Sequence, residues 1–393
     1  MPALFPIVVI DLIGFGIVIP LLPFYAERFQ AAPDVVALLM ATYSFTQFLS
    51  TPIWGRASDL WGRRPILLLS LAGAVASYTW LAFADGLWML FAARALGGIM
   101  AGNISAAFAY VADITTAKDR AKGMGLVGAA FGLGFVIGPA LGGILAGPDP
   151  LTADYRTPSL AAAGLSLTAL VLALIILKES LSPEIRARLA QQPVQPRLAL
   201  FIEVLGRREV GLLIAITFLA TFVFAGMEAV FALWSERTMG WGPEQNGYLF
   251  AFVGVLGALV QGGLMGRLAR RFGEANLIVQ GAVALALGLV ALPFSDTLAF
   301  LLPAMLFLVY GFSICTPSLN SLISKRVGAD EQGKVLGVTR SASTLARVAG
   351  PAWAGFLFTA LGKSWPFFGG AVVMIGVLFL GLRVRRRRRA NTS

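Results

Sequence analysis

The stretch at residues 119–143 reads DRAKGMGLVGAAFGLGFVIGPALGG, and a second stretch at residues 331–355 reads EQGKVLGVTRSASTLARVAGPAWAG. At an offset of 212 residues the two stretches share Lys122/Lys334, Gly125/Gly337, Gly138/Gly350, Pro139/Pro351 and Gly143/Gly355. A second match has an offset of 211 and pairs Gly55-Arg56 and Gly62 with Gly266-Arg267 and Gly273. The chain is therefore predicted to consist of two copies of one unit of roughly 200 residues, much longer than the repeats of soluble arrays.

The composition indicates a membrane protein. Hydrophobic residues make up 58% and charged residues 13% of the chain, about half the charged share of an average soluble domain. Apolar runs of about 20 residues, long enough to cross ~30 Å of hydrocarbon, occupy residues 4–25, 35–54, 66–84, 88–110, 123–146, 158–177, 210–234, 246–265, 276–294, 298–322, 335–359 and 365–382. We therefore predict an all-α membrane protein of twelve transmembrane helices in two six-helix bundles, an architecture common among transporters.

The domain organisation follows from these runs. Residues 1–177 are expected to form the first bundle and residues 209–382 the second. Residues 178–208, which are polar, basic and spaced by prolines, are predicted to be a cytoplasmic linker. Residues 383–393 form a basic tail.

The net charge of +11 could suggest a nucleic-acid partner, but its distribution argues against one. Most Lys and Arg residues lie in the loops after predicted helices two, four, six, eight and ten and in the tail. The opposite loops contain only Arg28, Arg156, Arg237 and Lys363. By the positive-inside rule, both termini are expected in the cytoplasm of a multi-pass protein of the inner membrane.

Several kinds of site are not expected. The chain has one cysteine, Cys315, and no histidine, which excludes an internal disulfide and makes a metal site unexpected. It also lacks a Gly-rich phosphate-binding loop. We therefore predict neither an enzyme nor a cofactor, and we expect transport to use an ion gradient or to run downhill.

The loop between predicted helices two and three reads GRASDLWGRRP at residues 55–65. This pattern resembles the signature loop of the major facilitator superfamily, whose acid and arginines latch neighbouring helices together. The resemblance assigns a gating role to Gly55, Asp59, Gly62, Arg63 and Arg64. The second copy, GRLARRFG at residues 266–273, has Arg270 where the acid is expected, so the resemblance implies a latch in the first half only.

Predicted helix five contains GFVIGPALGG at residues 134–143. Small residues four apart let helix backbones approach closely, and a proline removes a backbone hydrogen bond. The pattern resembles that of the proton-driven antiporters of the superfamily, which implies export and a gating role for Gly134, Gly138, Pro139, Gly142 and Gly143. A packing seam is the alternative. Because the second copy keeps less of the pattern, a leucine at Gly350 is expected to do less than one at Gly138.

The resemblance is narrower still in the first half. The segment RALGG at residues 94–98 resembles the arginine motif that the superfamily associates with proton coupling. Asp11, Gln47, the signature loop and ADIT at residues 112–115 are similar to the tetracycline/proton antiporter subfamily. The chain departs from that subfamily because it has Ser77 in place of an acid and no histidine. The resemblance therefore implies proton-coupled drug export without specifying tetracycline.

Five charged residues fall within predicted helices, where an ionised group is costly and is a functional hypothesis by default. Asp11, Glu228 and Arg94 are predicted to couple transport to protons, with structural ion pairs as the alternative. Arg340 and Arg347 are seven residues apart and share one helix face. They are expected either to attract an anionic substrate group or to pair with Glu228.

Polar residues in predicted helices two, four and ten complete the expected substrate cavity. These candidates are Tyr43, Gln47, Asn103 and Asn320, to which Arg340 and Arg347 are added from helix eleven. Hydrogen bonds between helices are the alternative role of the four uncharged residues.

We therefore predict a proton-coupled exporter of amphipathic organic compounds, of the drug-efflux type, that works by alternating access. Its expected partners are a small-molecule substrate, protons and the lipid bilayer, and it is expected to be a monomer. One alternative keeps the fold and changes the cargo to an organic anion or an anionic lipid. A second alternative, a non-transporting sensor or scaffold, requires neither buried charges nor signature loops.

Overall fold

The structure is a computed structural model that describes residues 4–101, 104–116, 119–191, 197–328 and 331–390. Every regular element in these ranges is a helix. In chain order the α-helices are α1 (Leu4–Val18), α2 (Leu22–Arg28), α3 (Pro33–Trp61), α4 (Arg63–Ala82), α5 (Leu87–Ala101), α6 (Ile104–Ile114), α7 (Arg120–Ala146), α8 (Arg156–Ile176), α9 (Pro183–Ala190), α10 (Arg197–Gly206), α11 (Arg208–Met239), α12 (Pro243–Ala258), α13 (Met265–Phe272), α14 (Glu274–Ala291), α15 (Leu298–Lys325), α16 (Gln332–Leu361) and α17 (Trp365–Ala390). A π-helix, Leu259–Leu264, joins α12 to α13, and a short 3-10 helix, Leu292–Phe294, follows α14.

Most of the long helices are apolar enough to cross a membrane. Within the described residues, nine spans are both long and apolar enough, and α1 with α2, bent by 40°, makes a tenth if the two count as one span. The helices α3 and α16 are 29 and 30 residues long but less apolar, and α16 contains Arg340 and Arg347. The predicted all-α membrane fold is confirmed, whereas apolarity gives at most ten spans in this part of the chain instead of twelve.

Contacts between residues divide the chain into two units. The first contains Met1–Val194 and Gly240–Gly254, and the second contains Gln195–Met239 and Val255–Ser393. The helix α12 therefore begins in the first unit and ends in the second. Each unit encloses its own apolar interior, which in the first includes residues of α1, α4, α6 and α8 and in the second residues of α14 and α15.

In the first unit, α7 packs against α1 with almost no side chains between the two backbones. A Cβ atom on Gly138 would lie 2.6 Å from Cα of Gly16 and 2.7 Å from the carbonyl oxygen of Ile13. A Cβ atom on Gly142 would lie 2.2 Å from the carbonyl oxygen of Ile17. These distances are shorter than any tolerable contact, so the close approach requires glycine, as in other small-residue helix pairs. We call this contact the first glycine seam; Gly134, whose Cβ atom would lie 2.7 Å from Cβ of Leu12, extends it by one turn.

A second side of α7 is equally close to the start of α12, within the same unit. A Cβ atom on Gly143 would lie 2.7 Å from the carbonyl oxygen of Pro243. In return, a Cβ atom on Gly247 would lie 2.5 Å from the carbonyl oxygen of Pro139. The spacing of small residues in α7 thus serves two neighbouring helices at once.

The second unit repeats the first seam with α11 and α16. A Cβ atom on Gly350 would lie 2.3 Å from the carbonyl oxygen of Phe222, and one on Gly226 would lie 2.8 Å from the carbonyl oxygen of Gly350. We call this contact the second glycine seam. The expectation that Gly350 accommodates a side chain better than Gly138 is wrong, because the backbone of α11 lies directly opposite Gly350 even though the flanking glycines are missing.

The first seam generates a stability prediction. We expect Gly138→Leu to lower the melting temperature of the detergent-purified protein, because overpacking typically costs about 1–3 kcal/mol. Gly132→Leu on the same helix is the matched control, since a Cβ atom there meets nothing within 4 Å. Gly350→Leu should lower the melting temperature as Gly138→Leu does. Equal melting temperatures for Gly138→Leu and Gly132→Leu would show that α1 and α7 do not need this close approach.

Candidate functional site

Asp11 of α1 faces α8 in the first unit. The hydroxyl of Ser166 donates a hydrogen bond to Oδ1 of Asp11 at 3.1 Å, and Ser166 is fully buried. The two helices are close at this level, because a Cβ atom on Gly14 would lie 3.2 Å from the carbonyl oxygen of Ala162. Ser166 is not predicted from the sequence, since a lone serine in an apolar helix has no pattern that separates it from a packing residue.

Arg94 of α5 is buried beside Tyr43 of α3. Its guanidinium carbon lies 4.3 Å from the centroid of the Tyr43 ring, a cation–π geometry. Its Nε atom is buried and has no hydrogen-bond partner among the described residues. The ring centroid of Tyr43 is 5.2 Å from that of Phe15, which lies one helical turn after Asp11 on α1. The structure thus brings Asp11, Arg94 and Tyr43 into one region of the first unit.

Two other polar residues of the first unit, Gln47 and Ser77, form hydrogen bonds between helices. Nε2 of Gln47 donates to the carbonyl oxygen of Ala101 at 3.2 Å, which is the helix-to-helix hydrogen bond of the alternative reading. Ser77, at the position where the resembling subfamily has an acid, donates to the carbonyl oxygen of Ala93 at 2.8 Å. Asn103 lies outside the described residues.

In the second unit, Glu228 of α11 meets Arg347 of α16. Oε2 of Glu228 lies 3.8 Å from Nη1 of Arg347, and the side chains are 17% and 42% exposed. The pair lies beside the second glycine seam, since Glu228 follows Gly226 by two residues. Arg340, seven residues before Arg347 on the same face of α16, is exposed, as is Asn320 of α15. Of the two predicted partners of Glu228, the structure therefore places Arg347 in ion-pair contact.

The signature loop is organised around Arg63, which is 6% exposed. Nη1 of Arg63 donates to Oδ1 of Asp59 at 2.5 Å and to the hydroxyl of Ser58 at 2.7 Å. Nε of Arg63 donates to Oδ2 of Asp113, at the end of α6, at 3.2 Å. We call Asp59, Arg63 and Asp113 the first latch. It ties the turn between α3 and α4 to the end of α6.

The segment after α8 contacts this loop from the other side. Glu179 accepts hydrogen bonds from the backbone N–H groups of Arg63 at 2.9 Å and Arg64 at 3.1 Å. The hydroxyl of Ser180 donates to Oδ2 of Asp113 at 3.0 Å. Gly62, with φ of +105°, leaves the space that Glu179 fills, because a Cβ atom there would lie within 2.4 Å of its carboxylate.

The short helix α9 extends this contact. Nη1 of Arg56 donates to the carbonyl oxygen of Leu189 in α9 at 3.0 Å. Nη2 of Arg64 donates to the carbonyl oxygen of Leu174 near the end of α8 at 2.9 Å. Glu179 is not among the residues predicted from the sequence, although an acid directly after an apolar span and opposite a basic loop is a detectable signal.

Comparison with known proteins agrees with this architecture. The model of the Major Facilitator Superfamily matches residues 4–351. The chain is 33% identical over 361 residues to the tetracycline resistance protein, class C, of Escherichia coli, covering 91% of this chain and 89% of that protein. It is 32% identical to multidrug resistance protein 2 of Bacillus subtilis (strain 168), covering 97% and 93%.

A solved structure is similar over the same length. The crystal structure of the human organic anion transporter MFSD10 (TETRAN) has a TM-score of 0.72 and 26% sequence identity, covering 97% of this chain and 98% of that one. With a family model matched over most of the sequence and relatives above 30% identity along nearly its full length, this chain belongs to the major facilitator superfamily of membrane transporters.

Proposed function

We propose that this transporter is a proton-coupled exporter of amphipathic organic compounds that works by alternating access. The observation that carries the proposal is the hydrogen bond between Asp11 and Ser166 beside Arg94 and Tyr43. The relatives named as tetracycline and multidrug resistance proteins support an outward direction and a small-molecule cargo. No catalytic chemistry is assigned to any residue.

The partner of Asp11 suits a group that gains and loses a proton. A serine hydroxyl can donate to an ionised carboxylate and can accept from a protonated carboxylic acid. Ser166 can therefore satisfy Asp11 in both protonation states. An arginine in the same place would favour only the ionised state.

Protonation of Asp11 changes the net charge of the region because Arg94 stays protonated. A guanidinium stays protonated in proteins, and the partner of Arg94 in the structure is the face of Tyr43 instead of a contacting carboxylate. With Asp11 ionised, the two opposite charges offset each other. With Asp11 protonated, the region carries a net positive charge that disfavours a cationic or dipolar substrate. Protons and substrate would then compete for the same cavity, as antiport requires.

The remaining parts of the proposal concern setting and assembly. The protein is a multi-pass membrane protein. We place it in the inner (cytoplasmic) membrane with both termini in the cytoplasm, because the basic loops alternate with loops poor in Lys and Arg. It would act as a monomer in the lipid bilayer. Pro139 and the glycines of α7 would form part of the gate, because that helix is close-packed on two sides.

A second candidate cargo is an organic anion or an anionic lipid. The observations that favour it are Arg340 and Arg347 on one face of α16 and the similarity to a human organic anion transporter. In the structure Arg347 contacts Glu228, which assigns at least one of these arginines a structural partner. No observation favours a non-transporting sensor or scaffold.

The Asp11 hypothesis predicts a selective loss of coupling. In proteoliposomes with an imposed pH gradient, Asp11→Asn should abolish gradient-driven flux of a fluorescent lipophilic cation such as ethidium. Exchange of the same cation without a gradient should persist, because the amide keeps the hydrogen bond and removes the proton site. Full gradient-driven flux in Asp11→Asn would remove Asp11 from the coupling role.

The role of Ser166 can be tested with a matched pair of variants. Ser166→Ala should reduce gradient-driven flux by at least about tenfold, because one lost hydrogen bond to a charged group corresponds to ~1.5–3 kcal/mol. Ser166→Thr keeps the hydroxyl and should retain more of the flux than Ser166→Ala. If Ser166→Ala transports at the native rate, the neutral partner of Asp11 is not needed.

Variants of Arg340 and Arg347 in α16 test whether the cargo is cationic or anionic. Under the exporter hypothesis, Arg347→Gln should weaken the flux of cationic and anionic dyes to the same extent, because it breaks the pair with Glu228. The double variant Arg347→Gln/Glu228→Gln should recover part of that loss, and Arg340→Gln should leave the ratio of the two dyes unchanged. A loss confined to the anionic dye in either arginine variant would instead favour the organic-anion cargo.

A further inference from the structure

The two halves of the chain share one tight turn. Gly62 lies between α3 and α4 with φ of +105°, and Gly273 lies between α13 and α14 with φ of +74°. Both angles lie in the left-handed region that favours glycine, and the two residues are 211 positions apart. The turn is thus the same element of the repeat in both units.

The residue after each glycine is a buried charge, but its sign differs. Arg63 is 6% exposed and Glu274 is 8% exposed. Arg63 pairs with Asp113 at the end of α6, and Glu274 pairs with Lys325 at the end of α15. Because Asp113 and Lys325 are 212 positions apart, both members of the ion pair occupy repeated positions with their charges exchanged.

The exchange extends to the preceding turn of the helix. Asp59, four residues before Arg63, has its counterpart in Arg270, four residues before Glu274. Arg63 also binds a hydroxyl, that of Ser58, and Glu274 accepts a hydrogen bond from the hydroxyl of Ser321 at 3.2 Å. The two copies have different residues at these positions, but each copy keeps residues of opposite charge.

The two polarities differ in their relation to the helix dipoles. An acid is favourable at the N-terminus of a helix and a base at the C-terminus. Glu274 begins α14 and Lys325 ends α15, so both charges of the second pair are favourably placed. Arg63 begins α4 and Asp113 lies in the last turn of α6, so both charges of the first pair oppose their dipoles.

In the first unit an acid that lies outside the repeated segment, Glu179, offsets the unfavourable interaction with the helix dipole. The carboxylate of Glu179 accepts hydrogen bonds from the first two N–H groups of α4, which is where Glu274 places its own charge in α14. The hydroxyl of Ser180 in turn donates to Asp113. The first pair thus has an external acid at the helix start, and the second pair contains its acid within the helix.

We propose that Glu274 and Lys325 form a second latch, the charge-inverted counterpart of the first, which positions the α13–α14 turn on the end of α15. Glu274 and Lys325 would act as positioning residues. The effect of this latch on transport rests on the proposed exporter function, whereas its effect on stability does not. The expectation of a latch in the first half alone is replaced by one latch in each half, with opposite polarity.

Charge reversal tests the second latch. Glu274→Lys and Lys325→Glu should each lower gradient-driven ethidium flux by at least about tenfold, because each places like charges in contact, and the double reversal should recover to within about threefold of native. Recovery should be incomplete, because the reversed pair opposes both helix dipoles. Arg271→Glu, an exposed reversal beside the same turn, is the matched control and should transport at the native rate.

Melting temperatures of the same variants in detergent provide a readout independent of transport. The single reversals should melt below the native protein, and the double reversal should melt above both. If the double reversal is no better than the worse single variant in flux and in melting temperature, the latch is refuted. If the native protein carries no gradient-driven flux but the melting temperatures show the coupling, the second latch stands and the exporter function fails.

The role of Glu179 at the start of α4 can be tested separately in the first unit. Glu179→Gln removes the charge and keeps one of the two oxygens that accept the N–H groups of Arg63 and Arg64, so it should lower the melting temperature. In a chain carrying Arg63→Gln, which removes the opposing charge, Glu179→Gln should lower the melting temperature less. An equal decrease in both backgrounds would refute the role of Glu179 as the external acid of the first latch.

Discussion

The close approach of two helix backbones in each unit determines where the functional groups lie. Gly138 meets Gly16 in the first unit, and Gly350 meets Gly226 in the second, with no room for a Cβ atom. The charged residues are placed relative to these contacts: Asp11 precedes Gly16 on α1 by five residues, and Glu228 follows Gly226 on α11 by two. Because the two backbones are in contact at each seam, the side chains next to the seam are positioned relative to the partner helix. The seams therefore supply the rigid frame that a proton site or an ion pair in a membrane requires.

The two membrane acids have partners of different kinds, and under the proposed function this difference separates their roles. Asp11 is bonded to a neutral hydroxyl, whereas Glu228 contacts a guanidinium. A hydroxyl accommodates both forms of a carboxyl group, and a guanidinium favours the ionised form. The first unit thus has an acid suited to changing its charge, and the second has an acid suited to joining α11 to α16. The asymmetry arises although the two units share one repeat and one kind of seam.

Sequence patterns predict the architecture of this protein more completely than they predict its individual side-chain contacts. The repeat and the apolar runs predict the all-α membrane fold, and the cost of an isolated charge predicts that Glu228 needs an arginine. The apolar runs at residues 35–54 and 335–359 predict α3 and α16 as spans, but the polar and charged residues of the full helices reduce their hydropathy, so they are not among the spans that length and apolarity select in the described residues. Ser166 could not be predicted, since its partner is distant in sequence and its own residue type is ordinary in a membrane helix. The tightness at Gly350 was missed because it depends on the backbone of α11 and not on neighbouring glycines. The Glu274–Lys325 pair was missed because a search for identical residues cannot detect complementary ones.

The contacts of Glu179, Ser180 and Leu189 have a consequence for how the chain can be divided. These residues belong to the stretch that is predicted from composition to be a cytoplasmic linker, and they bind Arg63, Arg64, Asp113 and Arg56. The first unit accordingly extends beyond its last long helix and includes α9. A transporter of this kind produced as two separate polypeptides would need the break placed after Gln191, so that the amino-terminal fragment retains the acid that completes its own signature turn. A break directly after α8 would leave that fragment with an uncapped helix, and the lost segment would be attached to the wrong partner.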